Sequence, residues 1–157
     1  MNQGAVMDLL RLVALDTDDI AVVSTHVQDS VVKVADIMWR PAEKRAIIVL
    51  NRFDWESSQS ATPPYRRRRA ALRFERVNAL KARNIACTAK DTVLNLLAVE
   101  FSPSDAPGGC VTLYFSGGAA LRLDVECLEA ELADLGPVWA TAACPTHADA
   151  PDAVKMA

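Results

Sequence analysis

Two charged clusters carry most of the chemistry this 157-residue chain can offer. The first is Arg66-Arg67-Arg68-Arg69. Guanidinium groups grip carboxylates and phosphates through paired N–H donors, so the run suits a phosphate group, an acidic partner or a nucleic-acid backbone. The plainer account is a solvated loop edge whose charges keep an exposed strand from pairing with neighbours. That account is favoured, because Tyr65 is the one aromatic beside the run and a single ring makes no base-stacking surface. The second cluster is Asn51-Arg52-Phe53-Asp54-Trp55-Glu56. At the two-residue period of a strand, Arg52 and Asp54 share a face and lie close enough to pair. Such a pair can orient a polar ligand; more often it is an ordinary exposed ion pair of small energetic value. The candidate binding residues are therefore Arg66, Arg67, Arg68, Arg69, Asn51, Arg52, Asp54 and Trp55.

Catalytic patterns are missing. Ser57, Ser58 and Ser60 fall in a polar stretch with no G-x-S-x-G elbow. No phosphate-cradling glycine motif occurs, and Gly108-Gly109 and Gly117-Gly118 read as turn residues. His26 has no partner in the sequence that would make it a base. Glu126, Glu129 and Glu131 are explained by the start of a helix and a solvated face. Cys87, Cys110, Cys127 and Cys144 form no C-x-x-C pair, and Cys144 with His147 lacks a second pair to close a tetrahedral zinc site. No enzymatic activity, metal or cofactor is expected.

The elements that must position these residues follow from periodicity. Leu9 to Leu15 reads as a strand. Asp16-Thr17-Asp18-Asp19 then starts a helix, with a capping side chain and acids at the positive end of the dipole. Ile20, Val23 and Val27 fall on one face of that helix, which runs to about Gln28. Val31–Trp39 and Ala46–Trp55 form a hairpin around the turn at Arg40-Pro41. Glu56 to Pro64 is a flexible loop. Ala70 to Lys81 is a strand with a bulge near Glu75-Arg76, and Val93 to Phe101 is another. Val111, Leu113 and Phe115 alternate up to Gly117-Gly118, a hairpin turn, and Leu121, Leu123 and Val125 return. Leu128, Leu132 and Leu135 sit at helical spacing before Gly136-Pro137, which predicts a closing helix.

The expected architecture is α+β and mainly β. About seven mostly antiparallel strands form a bent sheet or partly open barrel, with one helix after the first strand and a closing C-terminal helix. This arrangement resembles pleckstrin-homology-like barrels, although the helix between the first two strands departs from them. Residues 1–8 read as a flexible N-terminus, 9–139 as a single β-rich domain and 140–157 as a disordered tail. The net charge of −3 argues against general affinity for nucleic acid or anionic lipid. With no signal peptide and no apolar run near the roughly 20 residues of a membrane span, the expected location is cytoplasmic.

The strings Leu10-Arg11-Leu12-Val13-Ala14-Leu15-Asp16, Asn51-Arg52-Phe53-Asp54-Trp55-Glu56 and Leu123-Asp124-Val125-Glu126-Cys127 resemble those of an uncharacterised bacterial family catalogued as a domain of unknown function. The likeness spans about Leu9 to Ala140. It implies a cytoplasmic bacterial protein and assigns no activity. Function is therefore unknown. The leading expectation is a non-enzymatic binding or adaptor module. Its basic loop, Arg66 to Arg69, with the Asn51–Trp55 strand, would meet a protein partner or a small acidic ligand. The rivals are a homodimeric structural subunit and a small-molecule binding protein or enzyme with a pocket near Arg52 and Asp54.

Overall fold

A computed structural model describes residues 9–56, 65–141 and 145. The strands are β1 (Arg11–Ala14), β2 (Ser30–Lys33), β3 (Ile37–Arg40), β4 (Arg45–Phe53), β5 (Arg66–Phe74), β6 (Val77–Arg83), β7 (Val93–Pro103), β8 (Gly109–Phe115), β9 (Ala120–Val125) and β10 (Ala130–Ala140). The helix α1 spans Thr17–Val27. All pairings are antiparallel, and the strands form one open sheet in the order β1-β10-β5-β4-β2-β7-β8-β9-β6, with β3 also paired to β4.

The helix begins where the sequence places it. The Asp16 side chain accepts the Asp19 N–H at 2.8 Å, and Asp19 reaches back to accept from Leu15 N–H at 2.9 Å. Two backbone donors are thus satisfied by two carboxylates at the positive end of the dipole. Ile20, Val23 and Val27 are buried against the sheet. Ser24 Oγ accepts the Val99 N–H at 2.9 Å, just past the bulge between Leu96 and Ala98 that frees this donor from the β7–β8 ladder.

The closing helix is not there. Residues 130–140 form β10, an eleven-residue strand inserted between β1 and β5. Ala130, Leu132 and Asp134 alternate into the core, whereas Leu135 is 51 % exposed. Strand pairing on both sides outweighs the helical spacing of the three leucines. Gly136 (φ +117°) and Pro137 do not stop a helix; they lie in the register shift between Asp134 and Val138.

Among the described residues the seven expected strands become ten, for three local reasons. A 3-10 turn at Val34–Asp36 splits the strand expected over Val31–Trp39. Arg76, at φ +61°, breaks the expected Ala70–Lys81 strand into β5 and β6, which lie at different places in the sheet. β10 adds the third. The likeness to pleckstrin-homology-like barrels rested on a closing helix and falls with it. All of the expected Glu56–Pro64 loop but Glu56, and all but Ala140, Thr141 and Pro145 of the expected tail, lie outside the described residues, as do residues 1–8.

The core lines one face of the sheet and the inner side of α1. Ile48, Leu50, Leu72, Phe74, Leu96, Leu113, Leu121, Leu123 and Leu132 are all 2 % exposed or less. Of the described glycines, Gly109 at the start of β8 leaves the least room. A Cβ on Gly109 would lie 2.5 Å from the Ser102 carbonyl oxygen and 2.7 Å from the Phe101 ring. Gly109→Ala is therefore expected to cost about 1–3 kcal/mol through overpacking, read as a lower urea midpoint at unchanged m-value. A midpoint equal to wild type would show that β7 and β8 yield there freely.

Candidate functional site

The two charged clusters meet at one end of the sheet. β4 and β5 pair Asn51 with Arg69, Arg52 with Arg68 and Phe53 with Arg67, and the Asp54 N–H donates to the Arg66 carbonyl at 2.8 Å. β10 closes the other side of β5, pairing Val138, Trp139 and Ala140 with Arg68, Arg67 and Arg66. Every candidate residue of the sequence reading is thereby drawn together. The arginine run itself is not a loop. It is the first half of a strand paired on both sides, and Arg68 is only 4 % exposed.

Alternation sorts the run onto two faces. Arg66 and Arg68 point to the core side, where Arg52, Asp54 and Asp134 are also buried. Arg52 Nε and Nη2 donate to Asp134 Oδ1 and Oδ2 at 2.8 and 2.9 Å. Nη1 and Nη2 donate to Glu56 at 2.9 and 2.6 Å, and Nη1 also reaches the Phe53 carbonyl at 3.3 Å. The five donors of this fully buried guanidinium therefore have five acceptor contacts. Burial alone would draw the Arg52 pKa down. The hydrogen bonds from Asp134 and Glu56, and their charges, outweigh it and hold the group above its ordinary value. Asp134 is tied in further by the Leu10 N–H, which donates to Oδ2 at 2.8 Å. Arg68 Nε donates to Asp54 Oδ2 at 2.7 Å. Like charges opposite each other on β4 and β5 are tolerated because each arginine has its own carboxylate.

On the outer face, Arg67 Nη1 donates to the Asp29 and Asn51 carbonyls at 3.1 and 3.2 Å. Its guanidinium sits 6.0 Å from the centre of the Phe53 ring. Burial lowers its pKa, with the Asp29 charge opposing. Arg69 donates to Asn51 Oδ1 at 3.0 Å and to Asp36 at 3.4 Å. Phe53 also packs edge-on against Trp55 at 4.5 Å and lies 6.2 Å from Tyr65.

Arg52 and Asp54 thus belong to a buried network and not to an exposed ion pair. Arg66 differs from the rest of its run. Among the described residues it has no carboxylate or other hydrogen-bond acceptor, and its Nε is buried without a partner. Arg68 Nη1, two residues along the same face, is also buried and unpartnered. Beside the network, an open depression of about 370 Å³ is lined by Thr25, His26, Gln28, Trp55 and Glu56. Trp55 Nε1 donates to the Gln28 carbonyl at its wall, at 3.3 Å.

A second depression, of about 410 Å³, lies at the other end of β4 and β5 and is lined by Glu43, Lys44, Arg45, Arg73, Glu75, Arg76 and Glu129. Its charges are spent on one another. Arg45 pairs with Glu43 and Glu75, Arg73 with Glu75, and Arg76 with Glu129. Lys44 pairs with Glu126, and the hydrogen bond and charge of Lys44 hold the Glu126 carboxyl below its ordinary pKa. Surface pairs of this kind contribute little stability, and every basic side chain lining the depression has a carboxylate beside it.

Sequence reading missed Asp134, Trp139 and the deep burial of Arg68. The available signal was the alternation Ala130, Leu132, Asp134, masked by a charge at a core position. Among the described residues no three His, Cys, Asp or Glu side chains cluster to hold a metal ion. No described helix is long and apolar enough to cross a membrane. Cys87, Cys110 and Cys127 are free thiols; Cys144 and His147 lie outside the described residues.

Among the described residues, fold and site define a mainly β, antiparallel protein with one covering helix and an arginine–carboxylate network at one end of its core. The chain belongs to the family described as Protein of unknown function (DUF2948), whose model matches residues 10–147. No curated protein and no solved structure matches it.

Proposed function

We propose that this protein is a non-enzymatic binding module that receives an acidic group of its ligand at Arg66. The observation that carries the reading is the half-buried Arg66 guanidinium, which has no acceptor among the described residues while its neighbours in the run all have one. A buried N–H donor without an acceptor forfeits about 1–3 kcal/mol, and a carboxylate or phosphate oxygen would recover it. Arg68 Nη1 offers a second such donor on the same face. The paired Arg67 and Arg69, and the network around Arg52, hold the strand ends in place around it. The cytoplasm suits this reading, since free thiols are the ordinary state of cysteine there.

The test follows the arginine Hε resonances by NMR while inorganic phosphate, and separately citrate, is titrated into wild type and Arg66→Gln. A saturable shift at Arg66, absent from the variant, is expected. An unmoved Arg66 resonance with both probes would overturn the proposal.

The rival small-molecule site has the depression beside Trp55 in its favour, but Arg52 and Asp54 are fully buried and do not line it. Homodimerisation through an edge draws no support from the two outer strands. β1 has four residues, and Asp19 takes the Leu15 N–H just past its end. β6 carries exposed Lys81 and Arg83. Short and cationic edges discourage strand pairing.

A further inference from the structure

We infer that the ligand of Arg66 is an extended peptide that adds as a strand to the open edge of β10 at Val138–Ala140, with acidic and apolar side chains in alternation. The inference rests on the reading of Arg66 above and specifies its partner.

β1 covers only part of β10. It pairs with residues 130–133, and the Asp134 N–H donates to the Leu10 carbonyl at 2.9 Å. Past the register shift, Val138, Trp139 and Ala140 pair with β5, and no described residue pairs their opposite edge. The direction of the backbone follows from the ladder. The Thr141 N–H donates to the Tyr65 carbonyl at 3.0 Å, so odd positions here turn their backbone groups to β5. In antiparallel alternation the N–H and C=O groups of Val138 and Ala140 then turn outward. Two strand positions lie open for main-chain hydrogen bonds, the basis of recognition by strand addition.

The two faces of that edge differ. On the outer face Trp139 is 40 % and Tyr65 36 % exposed, a surface for apolar side chains. On the inner face lie Val138 and, one strand further in, Arg66. An added strand would lie about 10 Å from β5, two strand spacings, which an arginine and a glutamate side chain span between them. Alternate residues of the ligand therefore meet opposite chemistry. Charge complementarity selects an acidic peptide over a second copy of this chain, because a two-fold pairing of the same edge would set one Arg66 against the other.

The experiment uses the full chain and a synthetic peptide of alternating Glu and Val. Amide exchange at Val138 and Ala140 is expected to slow about tenfold at saturation, as outward N–H groups gain partners. Arg66→Gln is expected to weaken binding about tenfold, the effect of losing one charge-assisted hydrogen bond. The same peptide N-methylated at alternate residues, which cannot form the ladder, tests the edge without altering the protein. Equal binding of the N-methylated peptide would overturn strand addition while leaving the acid-binding role of Arg66 intact. So would an Arg66 resonance that responds to citrate or phosphate but not to the peptide. Val138 and Ala140 amides already protected in the free protein would also overturn it: concentration-dependent protection means a second copy occupies the edge, concentration-independent protection the chain itself. Ladder-dependent binding that ignores Arg66→Gln would overturn both readings.

Discussion

Replacing Asp134 with alanine is expected to cost about 3–5 kcal/mol of folding stability, because it leaves the Arg52 guanidinium buried without its most deeply buried carboxylate partner. Arg52 is fully buried, and Asp134 supplies two of its five contacts. The same substitution strips the Leu10 N–H of its acceptor and so loosens the start of β1. The cost belongs to the stranded charge more than to the attraction between the pair. The double variant Arg52→Met with Asp134→Leu should therefore recover most of the loss. Urea denaturation of both single variants and the double variant measures this directly. A loss under about 1 kcal/mol in Asp134→Ala would mean that water screens the pair, as it does on a surface.

Leu132→Ala should destabilise by about 2–5 kcal/mol, the range for emptying a leucine site in a packed core. Leu135→Ala should change stability by less than about 0.5 kcal/mol. The contrast reports the secondary structure itself. Leu132 is fully buried on the strand and Leu135 is 51 % exposed. A helix over the same residues would place both on one apolar face, and both truncations would then be costly. Similar losses at the two positions would contradict β10.

These two experiments probe the places where the sequence was hardest to read. The α1 start was legible because Asp16 and Asp19 are local signals, acting within four residues. The β8–β9 hairpin was legible for the same reason: Gly117 and Gly118 both take φ +75°, which glycine alone adopts cheaply. β10 was not, because its structure is set by distant partners, β1 and β5, and because Asp134 occupies a core position that pattern reading assigns to an apolar residue. The arginine run hid its alternation likewise. Four identical residues show no period, although Arg68 is buried and Arg69 is half-buried against Asp36 and Asn51. The candidate residues nevertheless lie together at one end of the sheet, because β4 and β5 pair there in register. Their pairing was not legible in the string. Arg52, Asp54 and Arg68 brace the strand ends, and Arg66 Nε has no acceptor among the described residues.

The position of β10 also bears on how the chain reaches this state as it leaves the ribosome. β6 to β9 contains the contiguous meander β7–β8–β9, and β9 and β6 pair across some forty residues, so this half of the sheet can assemble as it is made. The other half must wait. β1 and β5 have no bond to each other until β10 is inserted between them, and the Leu10 N–H finds its acceptor 124 residues later. Such long-range closure slows folding. Until it happens, β5 presents four arginines along one unpaired edge, and Arg52 lacks the aspartate that follows it by 82 residues. The charges that later brace the site keep that waiting edge soluble and turn aside other nascent strands.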